Sequence, residues 1–342
     1  MPTERSAEGS PDDTVSIMTG QKVRWGILGP GGIASTFADD LPLVEGAELA
    51  AVASRNKENA EAFAERHGFA RAYGSYAELA TDDAVDVIYV ATPHAFHLDT
   101  AMLCIEAGKA VLVEKPITLD LASAAVLVEA AHARGVFLME AMWMRCNPAI
   151  RKIAELVAGG AIGTVSAVHA DFGLQGPFEA SHRLRDPKLG GGALLDLGVY
   201  PIHLAHLILG VPEHVHAWSH LTAERVDETT GVLLGYESGA VAALTCSING
   251  ASRNAASITG TDGRIDLPAG FFVPTEFTLN RPDEEPETFR FPIEGSGYQF
   301  EAAEVQRALL AGELESTIVP HSTTLEVMGL LDALREQIGV IY

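Results

Sequence analysis

From Lys22 onward, short continuous apolar runs alternate with segments of helical pattern, and this alternation constrains the fold more than any other feature. KVRWGILG precedes the helical segment GGIASTFADDL, and AELAAVAS precedes a charged helix over residues 56–67. The alternation continues through VDVIYVAT, AVLVEKP and VFLMEAM. Continuous apolar strands separated by helices are typical of a parallel sheet buried on both faces. The pattern therefore predicts an α/β chain whose residues 21–142 form a doubly wound Rossmann domain.

After residue 142 the pattern changes to one dominated by strands. VHAWSHLTA, TGVLLGYESG, AVAALTCSI and EFTLN read as an antiparallel run joined by turn residues, followed by helices over 299–311 and 323–338. A chain of 342 residues also exceeds the size at which one core keeps growing. We therefore expect residues 143–342 to form an α+β domain for substrate binding and oligomerisation, with a large, mostly antiparallel open sheet and helices on one face.

Composition narrows the partners and the compartment. The sequence has 46 acidic and 23 basic residues, and a net charge of -23 repels nucleic acids and anionic lipids. The acidity is equally compatible with simple solubility or a saline habitat. The sequence has no run of 18 or more apolar residues, so we predict no membrane span. Its three cysteines are widely spaced, which indicates a reducing, cytoplasmic compartment. Residues 1–20 are polar and lack a secretion signal, so we expect a disordered tail.

A glycine-rich turn follows the first predicted strand. Gly29, Gly31 and Ala34 have G-x-G-x-x-A spacing at the opening of a helix, with Gly32 and Ile33 inside the turn. The first glycine permits the tight turn, and the second lets a pyrophosphate approach the free N–H groups of the helix. This strand, turn and helix together predict a dinucleotide site; an ordinary glycine-rich turn is the alternative.

The end of the second predicted strand bears on which dinucleotide binds. NAD-binding proteins usually carry a carboxylate there, whereas this chain has Ser54, Arg55 and Lys57. A hydroxyl and a guanidinium can bind a 2′-phosphate, which a carboxylate would repel. We therefore predict NADP, with NAD still possible. The alternative is that both cations are solvated charges in the first turn of a helix.

Three further segments carry a resemblance to a known family. ATPHAFH, VLVEKP and GGALLDLGVYPIH resemble the Gfo/Idh/MocA oxidoreductase family from about Lys22 to the end of the chain. EAMWMR and HRLRDPKLGGGALLDLGVYPI are similar to its branch of dimeric dihydrodiol dehydrogenase, NADP-dependent D-xylose 1-dehydrogenase and glucose-fructose oxidoreductase. The resemblance implies an NADP cofactor, a sugar-like or diol substrate, and a homodimer or homotetramer formed through the C-terminal sheet.

The resemblance also implies the catalytic residues. Lys115 matches the family lysine, at the carboxyl end of a predicted parallel strand, where open sheets bind ligands. Asp196 and Tyr200 match the family's Asp-x-x-x-His/Tyr pair, in its tyrosine form. We expect Tyr200 to act as the acid/base, its phenolate favoured by the Lys115 ammonium, and Asp196 to orient the substrate or the lysine. The alternatives are a lysine paired with Glu114 and a carboxylate that only faces a helix N-terminus.

The remaining candidates surround this centre. Thr92, Pro93 and His97 match the family's T-P-x-x-x-H, which implies a place beside the nicotinamide. Their predicted neighbours in the cofactor site are His94 and Glu114. The substrate candidates, besides Tyr200, are Trp143, Arg145, Phe172 and Arg183. Arginines in this region can equally form local ion pairs. We predict no metal site, because His203 and His206 lack a matching set of ligands.

The sequence therefore predicts an NADP-dependent dehydrogenase or reductase that transfers hydride between the nicotinamide and a hydroxyl or carbonyl carbon of a sugar or trans-dihydrodiol. An NADPH-dependent ketosugar reductase is the alternative within the same chemistry. A dinucleotide- and sugar-sensing regulator without turnover is a third reading, which the presence of both Lys115 and Tyr200 argues against.

Overall fold

The computed structural model of the chain describes residues 21–342, so the predicted tail over 1–20 lies outside the described residues. The described chain forms a six-stranded sheet and an eight-stranded sheet, each with helices packed against it. The predicted fold class, a Rossmann sheet followed by a mostly antiparallel sheet, is confirmed.

The first sheet is parallel throughout, in the order β3-β2-β1-β4-β5-β6. Its strands are β1 (Val23–Leu28), β2 (Ala47–Ala53), β3 (Arg71–Tyr73), β4 (Val87–Val90), β5 (Ala110–Glu114) and β6 (Leu138–Ala141). The helices between them are α1 (Gly32–Asp40), α2 (Lys57–His67), α3 (Tyr76–Ala80), α4 (His97–Glu106) and α5 (Leu121–Arg134). β4 and β5 are buried along their whole length, as a sheet covered on both faces requires.

The order of these strands reverses between β1 and β4. In open α/β sheets such a switch point opens a crevice at the carboxyl ends of the strands, where ligands bind. Gly29 follows β1 with φ +92°, and a Cβ there would lie 3.1 Å from the carbonyl oxygen of Ala91, just after β4. Only glycine suits this positive φ and close approach, which bring the glycine-rich turn against the next strand end.

The second sheet has the order β14-β13-β12-β11-β7-β10-β9-β8, antiparallel except between β7 and β10. Its strands are β7 (Val165–Gly173), β8 (His214–Leu221), β9 (Asp227–Gly235), β10 (Val241–Ser247), β11 (Ala256–Gly260), β12 (Arg264–Leu267), β13 (Glu276–Asn280) and β14 (Glu287–Arg290). The other helices are α6 (Trp143–Cys146), α7 (Pro148–Ala158), α8 (Val199–Leu209), α9 (Gln299–Leu310) and α10 (His321–Ile338).

Helices cover one face of this sheet near β7, β8 and β10, where α8 and α10 pack. On β8, His214, His216, Trp218 and His220 alternate outward, and Trp218 is 72% exposed. This agrees with the predicted open face. The apolar segment Pro187–Leu209, which ends in α8, is long enough to span a membrane, but 83% of its apolar window is buried inside the protein. It is therefore a core segment of this fold.

The C-terminal part of the chain returns to the first sheet and fixes the cleft between the two sheets. Asp40, at the end of α1, is buried and accepts hydrogen bonds from the backbone N–H groups of Ser296, at 2.9 and 3.0 Å, and Tyr298, at 2.9 Å. Nearby, the Trp25 indole donates to Gln306 of α9 at 3.1 Å. A single carboxylate thus holds the loop before α9 against the helix that opens at the glycine-rich turn.

We expect Asp40→Ala to lower the free energy of unfolding by about 2–4 kcal/mol, because it leaves two backbone N–H groups without their acceptor. Asp39→Ala is the matched control, since the neighbouring carboxylate is 69% exposed and its contact is with the His67 ring. It should cost less than about 1 kcal/mol. Urea unfolding of the three proteins measures both values, and equal losses for the two variants would contradict this role of Asp40.

Candidate active site

The structure brings the three predicted catalytic residues together at the carboxyl end of β5. The Lys115 ammonium donates to the backbone carbonyl oxygen of Asp196 at 2.8 Å and lies 3.6 Å from Asp196 Oδ1. The same nitrogen is 5.0 Å from the centroid of the Tyr200 ring. Lys115 thus contacts the carboxylate, the backbone and the phenol that the sequence placed on one turn.

A π-helical turn over Leu194–Gly198 presents Asp196, and α8 begins immediately after it with Tyr200 in its first turn. The buried Asp227 anchors this turn by accepting the N–H of Leu194 at 2.7 Å. Burial raises the pKa of Asp227 to about 6. A π turn is wider than a turn of α-helix, and such turns are frequent at functional sites.

Positive charge surrounds the Asp196 carboxylate. Arg183 binds it through both terminal nitrogens, at 3.0 and 3.3 Å, and His94 Nε2 lies 3.6 Å from Oδ1. Burial alone would raise the pKa of Asp196, but the cations Lys115 and Arg183 hold that pKa well below its usual value. His94 is neutral at pH 7, because burial lowers its pKa to about 3. Burial would likewise lower the pKa of Lys115, but the facing Tyr200 and Asp196 keep it above its usual value. Both groups are therefore charged at neutral pH.

Tyr200 is 5% exposed, and its hydroxyl accepts a hydrogen bond from Trp143 Nε1 at 2.8 Å. Burial raises the pKa of Tyr200 to about 12, although the Lys115 ammonium lowers it. We expected the ammonium to favour the phenolate. The ammonium acts in that direction, but the desolvation of the buried ring outweighs it, so Tyr200 is a neutral phenol at neutral pH.

Aromatic rings pack around the Tyr200 ring. Trp143 stacks on Tyr298 with centroids 4.4 Å apart, and Phe172 stacks on Phe272 at 4.3 Å. Phe172 and Phe272 lie 5.5 and 5.6 Å from the Tyr200 ring. Trp143 and Phe172 were predicted, whereas Phe272 and Tyr298 come from loops without a motif and were missed. Flat apolar walls around a phenol and an ammonium suit a ring-shaped ligand that carries hydroxyl groups.

The turn after β1 fits a dinucleotide. A Cβ added at Gly31 or Gly32 would meet no atom within 4 Å, so open space lies before the first turn of α1. No side chain caps this helix, and Ile33 is 36% exposed at its start. The first-turn N–H groups and the helix dipole are therefore available to a pyrophosphate. Thr92 and Pro93 follow β4 across the switch point from this turn.

Ser54, Arg55 and Lys57 follow β2, as predicted. The Ser54 hydroxyl accepts the N–H of Asn56 at 3.2 Å, while Arg55 and Lys57 are exposed. The Arg55 guanidinium lies 5.8 Å from the ring centroid of Phe96, in the turn before α4. Arg55 and Lys57 thus border one exposed edge of the dinucleotide cleft, and no acidic residue occupies the end of β2.

Two predicted cofactor residues turn out to face the protein interior. His97 is fully buried, with Nδ1 2.8 Å from the carbonyl oxygen of Pro116 and Nε2 2.7 Å from that of Thr92. Glu114 is buried and accepts hydrogen bonds from the Tyr89 hydroxyl and from the N–H of Lys115. We predicted that both side chains contact the cofactor directly. In the structure they instead support the ends of β4 and β5.

Arg145 also differs from the prediction. Its side chain is buried, and Nη1 lies 3.4 Å from His203 Nδ1, three residues after Tyr200 on α8. The predicted role as a substrate donor does not fit this placement, because the turn after β6 directs Trp143, not Arg145, at Tyr200. His206 pairs with Glu326 at 2.8 Å. Within residues 21–342, no three metal-ligating side chains come together.

The chain was compared with known families, proteins and structures. Residues 23–142 match a family model described as an oxidoreductase family with an NAD-binding Rossmann fold, and residues 150–266 match a Gfo/Idh/MocA C-terminal domain. Two proteins named trans-1,2-dihydrobenzene-1,2-diol dehydrogenase, from Danio rerio and Mus musculus, are each 37% identical over 94% of this chain and 98% of their own length.

Among solved structures, a 3-ketoreductase from Actinomadura kijaniata in complex with NADP and TDP-benzene superimposes with a TM-score of 0.82. It is 30% identical and the match covers 93% of this chain and 98% of that enzyme. The predicted resemblance and the predicted nicotinamide dinucleotide cofactor are confirmed by these matches.

We expect Asp196→Asn to lower the free energy of unfolding at pH 7 by about 2–4 kcal/mol, because it leaves Lys115 without a buried counter-charge. A carboxyl whose pKa is depressed by folding stabilises the folded state above its unfolded pKa and loses that contribution as the pH falls. The difference in free energy of unfolding between wild type and variant should therefore narrow below about pH 4, the ordinary pKa range of aspartate. Urea unfolding over a pH series measures it.

Asp186→Asn is the matched control in the loop before the π turn. Asp186 accepts the N–H of Lys188 at 2.9 Å, and an asparagine can accept the same bond. This variant should follow the wild type at every pH. A gap for Asp196→Asn that stays constant or widens on acidification would contradict the charged cluster.

Proposed function

The chain belongs to the Gfo/Idh/MocA oxidoreductase family, and from this premise we infer that it interconverts a hydroxyl and a carbonyl group on a sugar or trans-dihydrodiol, with NADP as cofactor. The observation that carries the proposal is the contact of Lys115 with both Asp196 and Tyr200 beside an aromatic pocket. A sugar-sensing regulator would need no proton donor with a charge partner, so the arrangement favours an enzyme.

Tyr200 is the proposed acid/base. In oxidation its phenolate takes the proton of a substrate hydroxyl, and in reduction its phenol gives a proton to the carbonyl oxygen. Bound nicotinamide would accept or supply the hydride. Lys115 stabilises the negative charge that develops on the oxygen atoms, because it remains an ammonium beside the ring. Asp196 holds that ammonium in place, and Arg183 in turn binds the Asp196 carboxylate.

The neutral state of Tyr200 is the protonation state that reduction of a carbonyl requires. A phenol whose pKa is raised to about 12 is ready to donate a proton and is a weak proton acceptor at neutral pH. The likeness to the 3-ketoreductase supports the same direction. An NADPH-dependent reductase of ketosugars is therefore our second candidate, acting with the same residues.

The aromatic walls support a ring-shaped substrate. Trp143 and Phe172 offer flat faces against which the C–H face of a sugar or the ring of a dihydrodiol can pack. Arg183, half-exposed at the mouth of the site, can donate to hydroxyl groups. The names of the relatives support a diol, and the ketoreductase supports a sugar; both have a hydroxylated ring.

The preference for NADP rests on the end of β2. Ser54 and Arg55 can donate to a 2′-phosphate, and no carboxylate is present to accept from the ribose hydroxyls of NAD. The Phe96 ring near Arg55 provides a flat surface at the same edge. The ketoreductase that was solved with NADP supports this choice.

The open face of the second sheet supports the proposed homodimer or homotetramer. Trp218 and the histidines around it form an exposed surface on β8, and an exposed tryptophan on a sheet face is typical of a subunit contact. Light scattering of the purified chain checks this, and a monomeric mass would contradict it. We also keep the proposal of a cytoplasmic enzyme, which the three buried, unpaired cysteines support.

The function is tested by following NADP+ and NAD+ reduction at 340 nm over D-xylose, D-glucose, other aldoses and a trans-dihydrodiol. The reverse assay follows NADPH oxidation with a ketosugar. We expect turnover with one panel member, a lower KM for NADP+ than for NAD+, and a roughly 10²- to 10⁴-fold lower kcat in Tyr200→Phe, since the proton donor is removed.

Tyr236→Phe is the matched control, because this tyrosine is buried beyond the end of β9, outside the site. It should keep the activity of the wild type. Arg55→Ala should raise the KM for NADP+ and leave that for NAD+ unchanged. Wild type that binds NADPH but turns over no panel member in either direction would shift the conclusion to a non-catalytic sensor.

A further inference from the structure

The loop that follows Lys115 is anchored by a backbone N–H group two residues after the lysine. Pro116 has no N–H, so the first free donor after the lysine is the N–H of Ile117. This group donates to Glu140 Oε1, on the neighbouring strand β6, at 3.1 Å. Buried N–H groups need a partner, and here a carboxylate from the interior of the sheet supplies it. Glu140 therefore holds the backbone two residues from the Lys115 ammonium.

The other oxygen of Glu140 reaches two helices. Oε2 accepts a hydrogen bond from the Thr324 hydroxyl on α10 at 2.9 Å and lies 3.7 Å from His203 Nε2. His203 is three residues after Tyr200 on α8. One side chain that is only 2% exposed thus touches the lysine loop, the C-terminal helix and the helix that carries the tyrosine.

A carboxyl group in this position is costly to bury. Burial raises the pKa of Glu140 to about 7, although Thr324, Ile117 and Arg145 lower it. An apolar side chain would fill the same space without that cost, but it could not accept from Ile117. On the other side of the loop, the Pro116 carbonyl contacts His97 Nδ1 at 2.8 Å. The two residues after Lys115 are therefore held from both sides by buried polar groups.

We propose that Glu140 is a positioning residue that sets the place of the Lys115 ammonium relative to Tyr200. Its carboxyl group fixes the loop after the lysine through the hydrogen bond from Ile117 and packs 3.7 Å from His203 on the tyrosine helix, without a hydrogen bond there. One buried group thus lies between the elements that carry Lys115 and Tyr200. The proposal rests on the proposed roles of Lys115 and Tyr200. Errors of about 1 Å in such placement can cost on the order of 10²-fold in rate.

Three variants test the proposal in the full chain. Glu140→Ala removes both acceptors, Glu140→Gln keeps one acceptor oxygen and the shape, and Thr324→Val removes only the contact with α10. We expect kcat to fall roughly 10- to 100-fold in Glu140→Ala and less in Glu140→Gln, with NADPH affinity by fluorescence unchanged. Thr324→Val, which retains the Ile117 bond, should stay close to wild type.

The pH profile separates positioning from general stability. Lys115 lowers the pKa of Tyr200, so a displaced ammonium raises the pH at which Tyr200 loses its proton. The kcat profile for alcohol oxidation should therefore move to higher pH in Glu140→Ala, move less in Glu140→Gln and stay in place in Thr324→Val. Crystal structures of the variants should show Lys115 Nζ displaced from the Asp196 carbonyl by about 1 Å in Glu140→Ala.

An unmoved lysine with an unchanged pH profile would overturn the proposal, as would an activity loss that follows the melting temperature equally in all three variants. If the wild type turns over no panel substrate, the proposed function fails. The crystal structures still decide the position of Lys115 in that case. If Glu140→Ala does not fold, the isosteric Glu140→Gln carries the same readouts.

Discussion

The buried ammonium group of Lys115 is the charge around which the rest of the site is arranged. An ammonium removed from water is stable only where opposite charge and hydrogen-bond acceptors replace its hydration. The carbonyl and carboxylate of Asp196 and the face of Tyr200 provide these. They can do so only because the π turn before α8, a helix that packs on the second sheet, lies at the end of β5. The burial of one charge therefore ties the two parts of the chain together.

Desolvation and charge act against each other at Tyr200, and their balance shapes the chemistry. The burial that strengthens the electrostatic interactions of Lys115 also raises the pKa of the phenol, so that Tyr200 keeps its proton at neutral pH. The aromatic walls strengthen both effects, because they exclude water from the ammonium and from the phenol. An exposed site would have the opposite properties, with a weaker partner and a more acidic phenol.

The sequence predicted the parts of the fold that repeat a local pattern. The continuous apolar runs indicated five of the six Rossmann strands, while β3 and β14, of three and four residues, were too short to show a pattern. Lys115, Asp196 and Tyr200 were identifiable because motif and strand end coincide. Phe272 and Glu140 could not be identified, because only tertiary packing brings a loop and a strand interior to the site. The position of the Arg145 side chain was predicted wrongly, because the order of residues does not fix the direction in which a side chain points after a turn.

The distribution of charge explains how an acidic protein can bind a phosphorylated cofactor. A net charge of -23 would repel the phosphates at long range, but salt screens such fields within about 8–10 Å. What a bound phosphate experiences is therefore local: the open N-terminus of α1 and the guanidinium of Arg55. The cations of the chain are few, and those at the cleft are Arg55, beside the Phe96 ring, and Lys115 and Arg183, which contact the Asp196 carboxylate.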